Sequence, residues 1–222
     1  MNKISNSYND EAFWLEENLR YTKPHFRLEK CARIVNGLAK GAKCDLLDVG
    51  CGPATLGQLV APNINYFGID IAIQRAAPNL MALDIAHNEI KFGDKTFDIV
   101  VAGGLFEYLG EVQNKKFTEI QRLMKKNGKF VLTYTNFHHV NDKRIDHTIY
   151  NNVRPLHDFK RELEAYFRVE RWFPSSHNWF VSEPQRSWLK DIQMGLEREI
   201  PIVSRKLAIN YFFVCSLKPS KS

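Results

Sequence analysis

Residues 46–57 read LLDVGCGPATLG. The apolar run carries Asp48 near its end, and the chain then passes Gly50, Cys51, Gly52 and Pro53 before the next large hydrophobic side chain, Leu56. A chain that leaves a buried strand and turns this sharply, with almost no side chain, leaves room for something to approach its backbone. A side chain at Gly50 or Gly52 would block that approach, and N–H groups freed where a turn enters a helix suit a polar or anionic ligand. The stretch therefore predicts a nucleotide-type turn from a strand directly into a helix. Farther on, the run INYFGID ends in Asp70, 18 residues after Gly52. A carboxylate there can take both hydroxyls of a ribose in a doubly wound α/β fold.

Which nucleotide is bound is a separate question, because a dehydrogenase would use much the same parts. Here the third glycine of G-x-G-x-x-G is replaced by Thr55, and none of the eight tyrosines is followed by lysine four residues later. The dehydrogenase fingerprint is incomplete.

Outward from the turn, the periodicity supports the same class. From Pro24 to Lys40 the apolar residues Leu28, Cys31, Ala32, Val35, Leu38 and Ala39 recur at spacings of one, three and four, which predicts an amphipathic helix with Pro24 in its first turn and Gly41 at its C-cap. NDEAFWLEENLRY predicts a shorter helix before it, with Asp10 near its start and Phe13 and Trp14 exposed. From Cys44 onward, short β-rich runs alternate with helical segments: CDLLDV, INYFGID, LMALDI, FDIVVA, GKFVLTY, FRVERWF and NYFFVCS. Seven strands are expected, with an Asn-Gly turn in KKNGKF before the fifth. Runs buried on both faces and joined by helices indicate a parallel sheet covered on both sides.

Composition sets the outer limits. A chain of 222 residues with 44% hydrophobic and 25% charged residues suits a single α/β domain, and no apolar run approaches the roughly 20 residues of a membrane span. The polar start MNKISNSYNDEAFW lacks the apolar core of a secretory signal, so the cytoplasm is the expected compartment. Cys31, Cys44, Cys51 and Cys215 show no metal-type spacing; reduced thiols and no metal site are expected. The net charge of +6 is uneven: residues 1–43 carry 8 basic and 5 acidic side chains, 44–150 carry 11 and 12, and 151–222 carry 12 and 8. Without a dense Lys/Arg cluster, the basic ends read as solvated faces rather than a nucleic-acid surface.

At this point the motifs resemble those of class I S-adenosylmethionine-dependent methyltransferases, continuously from about Cys44 to Thr135. LLDVGCGPATLG is similar to the family's first motif, YFGIDIA to its second, ALDI to its third, FDIVVAGGLFEYL to its fourth, and LMKKNGKFVLTY to the stretch before its fifth strand. The resemblance implies a Rossmann-like doubly wound seven-stranded sheet of order 3-2-1-4-5-7-6, last strand antiparallel, with helices on both faces. It also implies a cofactor site built from Asp48, Gly50, Cys51, Gly52, Asp70, Ile71, Asp84, Ile85 and Gly103, with S-adenosylmethionine as donor and S-adenosylhomocysteine as product. On this reading residues 1–222 form one domain: an N-terminal helical cap (1–43), a cofactor-binding core (44–135), and C-terminal strands (136–222) with a substrate-side insertion at 175–204. Two departures stand out. KKNGKF lacks the usual proline and paired glycines, and GLFEYL places Glu107 and Tyr108 where many small-molecule members carry a histidine.

Substrate choice must come from outside these motifs. Trp14, Tyr21, Tyr108 and Trp179 are the candidate substrate contacts, favouring a small, aromatic or apolar metabolite; the alternative for each aromatic is packing against the core or against a second copy in a homodimer. A hydroxyl acceptor needs a base, and His177, His138, His139 and Glu107 are the candidates, His177 ranked first for its aromatic-flanked loop. Cys51 is expected to be only the small residue the turn requires. Three readings stay open: a methyltransferase acting on O or N of a small metabolite, an RNA or protein methyltransferase, and a nonenzymatic cofactor-binding partner subunit.

Overall fold

The computed structural model describes residues 11–73, 75, 77–136, 153–174, 191–192, 194–195 and 208–219. Its seven strands are β1 (Cys44–Val49), β2 (Ile64–Asp70), β3 (Leu80–Ala82), β4 (Phe97–Gly103), β5 (Met124–Thr135), β6 (Phe167–Pro174) and β7 (Asn210–Leu217). They form one sheet of order β3-β2-β1-β4-β5-β7-β6. The first five are parallel, and β7 runs antiparallel to both β5 and β6. The expected order and the reversed last strand are both present.

The period of two along each strand divides the core into two layers. Leu46, Val131 and Val214 face the layer that holds α2 (Phe26–Ala39), where Cys31, Ile34 and Val35 are buried. Leu47, Leu132 and Phe213 face the other layer, filled by Phe117 and Ile120 of α3 (Gln113–Leu123) and by Phe159 and Leu163 of α4 (Leu156–Tyr166). Helices thus cover both faces. Ahead of α2 come α1 (Glu11–Asn18) and a single 3-10 turn, Leu19–Tyr21.

Four local expectations are corrected. The glycine turn leads not into a long helix but into one 3-10 turn, Thr55–Gln58, after the left-handed Ala54 (φ 58°); Pro62 lies too close for a helix to extend. That turn is too short to present a summed helix dipole. The third strand is three residues rather than six, because the Asp84 carboxylate accepts the N–H groups of Ala86 and His87 and draws the chain into a turn. KKNG is a bulge within β5 rather than a turn before it: while β4 advances from Phe97 to Ile99, β5 advances from Met124 to Lys129. Finally, α2 begins at Phe26 with His25 as its N-cap residue, so Pro24 lies ahead of the helix, and the left-handed C-cap is Lys40, with Gly41 following at φ 77°.

Candidate functional site

Strand order reverses between β1 and β4: the chain works outward to β3 on one side and to β5 on the other. Open α/β sheets bind ligands at such a switch point, beyond the carboxyl ends of the strands. A cavity of about 390 Å³ lies there. Its floor comes from the β1 turn (Gly50, Cys51, Gly52), the tip of β2 (Asp70, Ile71), the turn after β3 (Asp84, Ile85) and the end of β4 (Gly103, Gly104). Its far wall is Glu107, Tyr108 and Thr135, and its roof is Trp14, Asn18, Tyr21, His25 and Arg27 from the N-terminal segment.

The β1 turn is held from below and from the side. Gly50 and Gly52 have φ values of 75° and 54°, which side chains resist. Both oxygens of Asp70 grip the turn region, Oδ2 accepting from the Gly52 N–H at 2.9 Å and Oδ1 from the Ala72 N–H at 2.9 Å. Each oxygen keeps a further lone pair, as a carboxylate has about four acceptor sites. Asn18, at the end of α1, donates to the Ala72 carbonyl, and a Cβ on Gly52 would come 3.1 Å from its Oδ1. The Thr55 hydroxyl donates to the Tyr21 carbonyl at 2.6 Å, a second tie between roof and floor.

Cys51 lines the cavity, but its sulfur turns inward: a Cβ on Gly68 would lie 2.8 Å from Sγ. Burial pushes this thiol far above its usual range, which excludes a nucleophilic role and leaves it the filler of the turn. Asp48 does not line the cavity. It is buried beneath the turn, where its Oδ2 accepts the Tyr66 hydroxyl at 2.8 Å, and burial pushes its carboxyl up to about 7.

That shift has a defined sign. Over about pH 4 to pH 7 the folded protein keeps a proton on Asp48 that the unfolded chain has released, so stability falls as pH rises through that window. Burial also raises the Glu107 carboxyl, which acts in the same direction. Asp48→Asn keeps an oxygen for the Tyr66 hydroxyl and removes one titration. Melting curves from about pH 5 to about pH 8 are expected to show a smaller loss of stability in this variant than in the wild type. Parallel curves would show that Asp48 is not a source of the slope.

Three buried atoms among the cavity residues have no hydrogen-bond partner among the described residues: Nε2 of His25, Nε of Arg27 and Oε2 of Glu107. Buried polar atoms are rarely left so, and their convergence on one cavity points to a polar ligand. Arg27 stands at the centre of the group. Its charge acts on His25, Asp48 and Glu107, and its guanidinium lies 5.6 Å from the Tyr21 ring centre. The His25 ring lies tilted beside Tyr21 at 5.4 Å; burial first, and then the Arg27 charge, lower its pKa to about 4, so the imidazole is neutral. Glu107 is 1% exposed, and its Oε1 accepts both the N–H and the hydroxyl of Thr135 at 2.8 and 2.7 Å.

The structure brings Gly50, Cys51, Gly52, Asp70, Ile71, Asp84, Ile85, Gly103, Glu107, Trp14, Tyr21 and Tyr108 to one cavity and leaves Asp48 under it. Trp14 meets Tyr108 edge to face at 4.9 Å. His138, His139, His177 and Trp179 lie outside the described residues. Sequence reasoning missed His25 and Arg27, because the segment at 24–40 was read only for its apolar stripe. Their relevance comes from where the start of α2 sits, above the tip of β4, and no local signal announces it.

The cradle fits an adenosine-containing amino acid. It has open space at Gly103, where a Cβ would meet nothing within 4 Å, carboxylates at the β2 and β3 tips, and the Arg27 cation in the roof. The methyltransferase-domain family matches residues 40–166, more than half of the chain. The chain belongs to that family. It is a class I S-adenosylmethionine-dependent methyltransferase. No curated protein matches its sequence. Among solved structures it is similar to an S-adenosylmethionine-dependent methyltransferase from Clostridium acetobutylicum, with TM-score 0.63, 12% identity, and 96% of this chain and 99% of that one covered. It also resembles the 1,6-didemethyltoxoflavin-N1-methyltransferase of Burkholderia thailandensis, whose structure holds its substrate and S-adenosylhomocysteine, with TM-score 0.57, 10% identity, and coverage of 86% and 79%. A third neighbour is the putative methyltransferase complexed with the Trm112 activator in Haloferax volcanii, with TM-score 0.62, 15% identity, and coverage of 94% and 96%. At these identities the likeness is one of fold. Among the described residues this methyltransferase has no helix long and apolar enough to cross a membrane.

Proposed function

We propose that this methyltransferase acts on an oxygen or nitrogen atom of a small, flat metabolite. The observation that carries the reading is the aromatic lining on the side of the cavity away from the β2 and β3 tips, where Trp14, Tyr21 and Tyr108 gather beside the cofactor cradle. Bound S-adenosylmethionine supplies a methyl group on a sulfonium sulfur, an activated leaving group that needs little further chemistry. The protein's share is to hold, align and dry the reacting groups, which is worth roughly 7 to 11 kcal/mol of barrier when alignment is good. Asp70 holds the ribose hydroxyls with its free lone pairs, Asp84 stands on the adenine side, and Arg27 meets the carboxylate of the amino-acid part. Trp14 and Tyr108 form the wall against which the acceptor lies.

The Burkholderia thailandensis neighbour, which holds 1,6-didemethyltoxoflavin and S-adenosylhomocysteine, supports this reading as an analogy of fold. The neighbour complexed with Trm112 is the analogy for a macromolecular substrate or an activating partner. We place the protein in the cytoplasm and read residues 1–222 as one domain; its four cysteines, all free and buried, suit a reducing compartment.

The test is to incubate the protein and methyl-labelled cofactor with cell extract separated into RNA, protein and small-molecule fractions. Label is expected in the small-molecule fraction. Label confined to RNase-sensitive or protein material would overturn the proposal, and no label anywhere despite tight cofactor binding would favour the nonenzymatic subunit.

A further inference from the structure

We propose that Glu107 makes the acceptor end of the cavity selective for flat substrates that present an N–H or O–H donor, and against carboxylates and other anions. The inference deepens the small-molecule reading above and rests on it.

Three carboxylates line the cavity: Asp70, Asp84 and Glu107. Asp70 spends an oxygen each on the Gly52 and Ala72 N–H groups. Asp84 accepts from the Ala86 and His87 N–H groups at one oxygen and meets the His87 ring at the other, 2.6 Å away. Of the three, only Glu107 has one oxygen fixed by two donors and the other with no geometric partner among the described residues. Holding Oε1 on Thr135 locks the carboxyl in orientation, so Oε2 is pre-aligned at no further entropic cost. A buried acceptor without a donor is penalised until one arrives, and a ligand that supplies the donor recovers that penalty. A ligand that brings a second acceptor adds repulsion instead.

Charge in the rest of the cavity agrees. Among the described residues, Arg27 is the only lining residue with a permanent positive charge, since His25 is held neutral. With Arg27 engaged by the carboxylate of the cofactor, no cation among the described lining residues is left to balance an anionic acceptor beside Glu107. Tyr108 follows Glu107 in sequence and meets Trp14 edge to face, which sets aromatic surface next to the polar group. A purely structural Glu107 would staple the tip of β4 to the end of β5, but that staple uses Oε1 alone. Glu107→Gln can keep an oxygen there and replaces the orphaned acceptor with a donor.

The experiment is calorimetry of the wild type and Glu107→Gln, each saturated with S-adenosylhomocysteine, against catechol, aniline and benzoate as probes of one ring size. In the wild type at alkaline pH, where the Glu107 carboxyl, raised by burial, is ionised, catechol and aniline are expected to bind roughly 10-fold or more tightly than benzoate, as a buried hydrogen bond to a charged group allows. In Glu107→Gln the difference should shrink to within about 3-fold, with S-adenosylhomocysteine affinity retained. Benzoate binding as well as the donors, donors that do not bind the loaded protein, or an unchanged order in the variant would each overturn the proposal. Loss of S-adenosylhomocysteine affinity in the variant would do so too, placing Glu107 in the cofactor cradle. Failure of the wild type to bind S-adenosylhomocysteine at all would instead remove the cofactor reading on which the proposal stands.

Discussion

Replacing Asp70 with alanine is expected to lower S-adenosylmethionine affinity by a factor on the order of 100 or more, since it removes two charge-assisted hydrogen bonds of about 1.5 to 3 kcal/mol each. The same carboxylate fastens the β1 turn through the Gly52 N–H and its own downstream backbone through the Ala72 N–H, so the loss is not confined to the ligand. The sequence alone suggests that fold stability changes little; the two backbone bonds correct that. A drop of about 1 to 2 kcal/mol is expected, read as a fall of a few degrees in melting temperature for a chain of this size. Asp70→Asn separates the two effects, because its one remaining oxygen can serve the turn or the ribose but not both pairs of donors. Calorimetry with S-adenosylmethionine and NAD in parallel is the measurement. Unchanged affinity for the first would mean that the tip of β2 is not the ribose site, and binding of the second would reopen the dehydrogenase reading.

Legibility in the sequence follows how local each signal is. The bounds of β1 and β2 were readable to the residue, because both strands are short, mostly apolar, β-rich runs ended by a glycine turn or by Asp70. The end of β3 was not, since LMALDI is apolar enough to continue and only the Asp84 side chain, capping its own downstream backbone, diverts it. KKNG looks like a turn by its residue types, yet the pairing of Phe97 with Met124 places it inside the ladder; pairing partners are not a property of the segment itself. The cofactor side of the cavity was legible for the same reason as the sheet: its groups sit on strand tips, at positions the motif spacing fixes. Its opposite side depends on where the start of α2 and the residues after β4 come to rest. Glu107 was visible as an oddity of its motif, but the fixed Oε1 and orphaned Oε2 are tertiary facts.

Arg27 is the clearest case of a site residue with no local signature, and it carries the second large prediction. Gly104 shows how tightly the guanidinium is seated: it has φ 74°, and a Cβ there would lie 2.5 Å from Nη1 of Arg27. Position 104 is thus glycine for both conformation and room. A guanidinium held this close to the tip of β4, with an unpartnered Nε, suits a planar anion, and the cofactor brings one in the carboxylate of its amino-acid part. Arg27→Ala should therefore weaken S-adenosylhomocysteine binding roughly 30-fold or more, the worth of a desolvated charge-assisted pair, while Arg27→Lys should recover only part of it. Methylthioadenosine supplies the discriminating comparison, because it keeps the adenosine and the sulfur and lacks the carboxylate. Its affinity should be almost the same in wild type and Arg27→Ala. If both ligands weaken together, Arg27 acts by holding the cavity open through Gly104 and Tyr21 rather than by pairing with the carboxylate. If neither weakens and only turnover falls, the cation belongs to the acceptor. Arg27 would then be free to balance an anionic substrate, against the selectivity assigned to Glu107, so this titration and the probe series at Glu107 constrain one another.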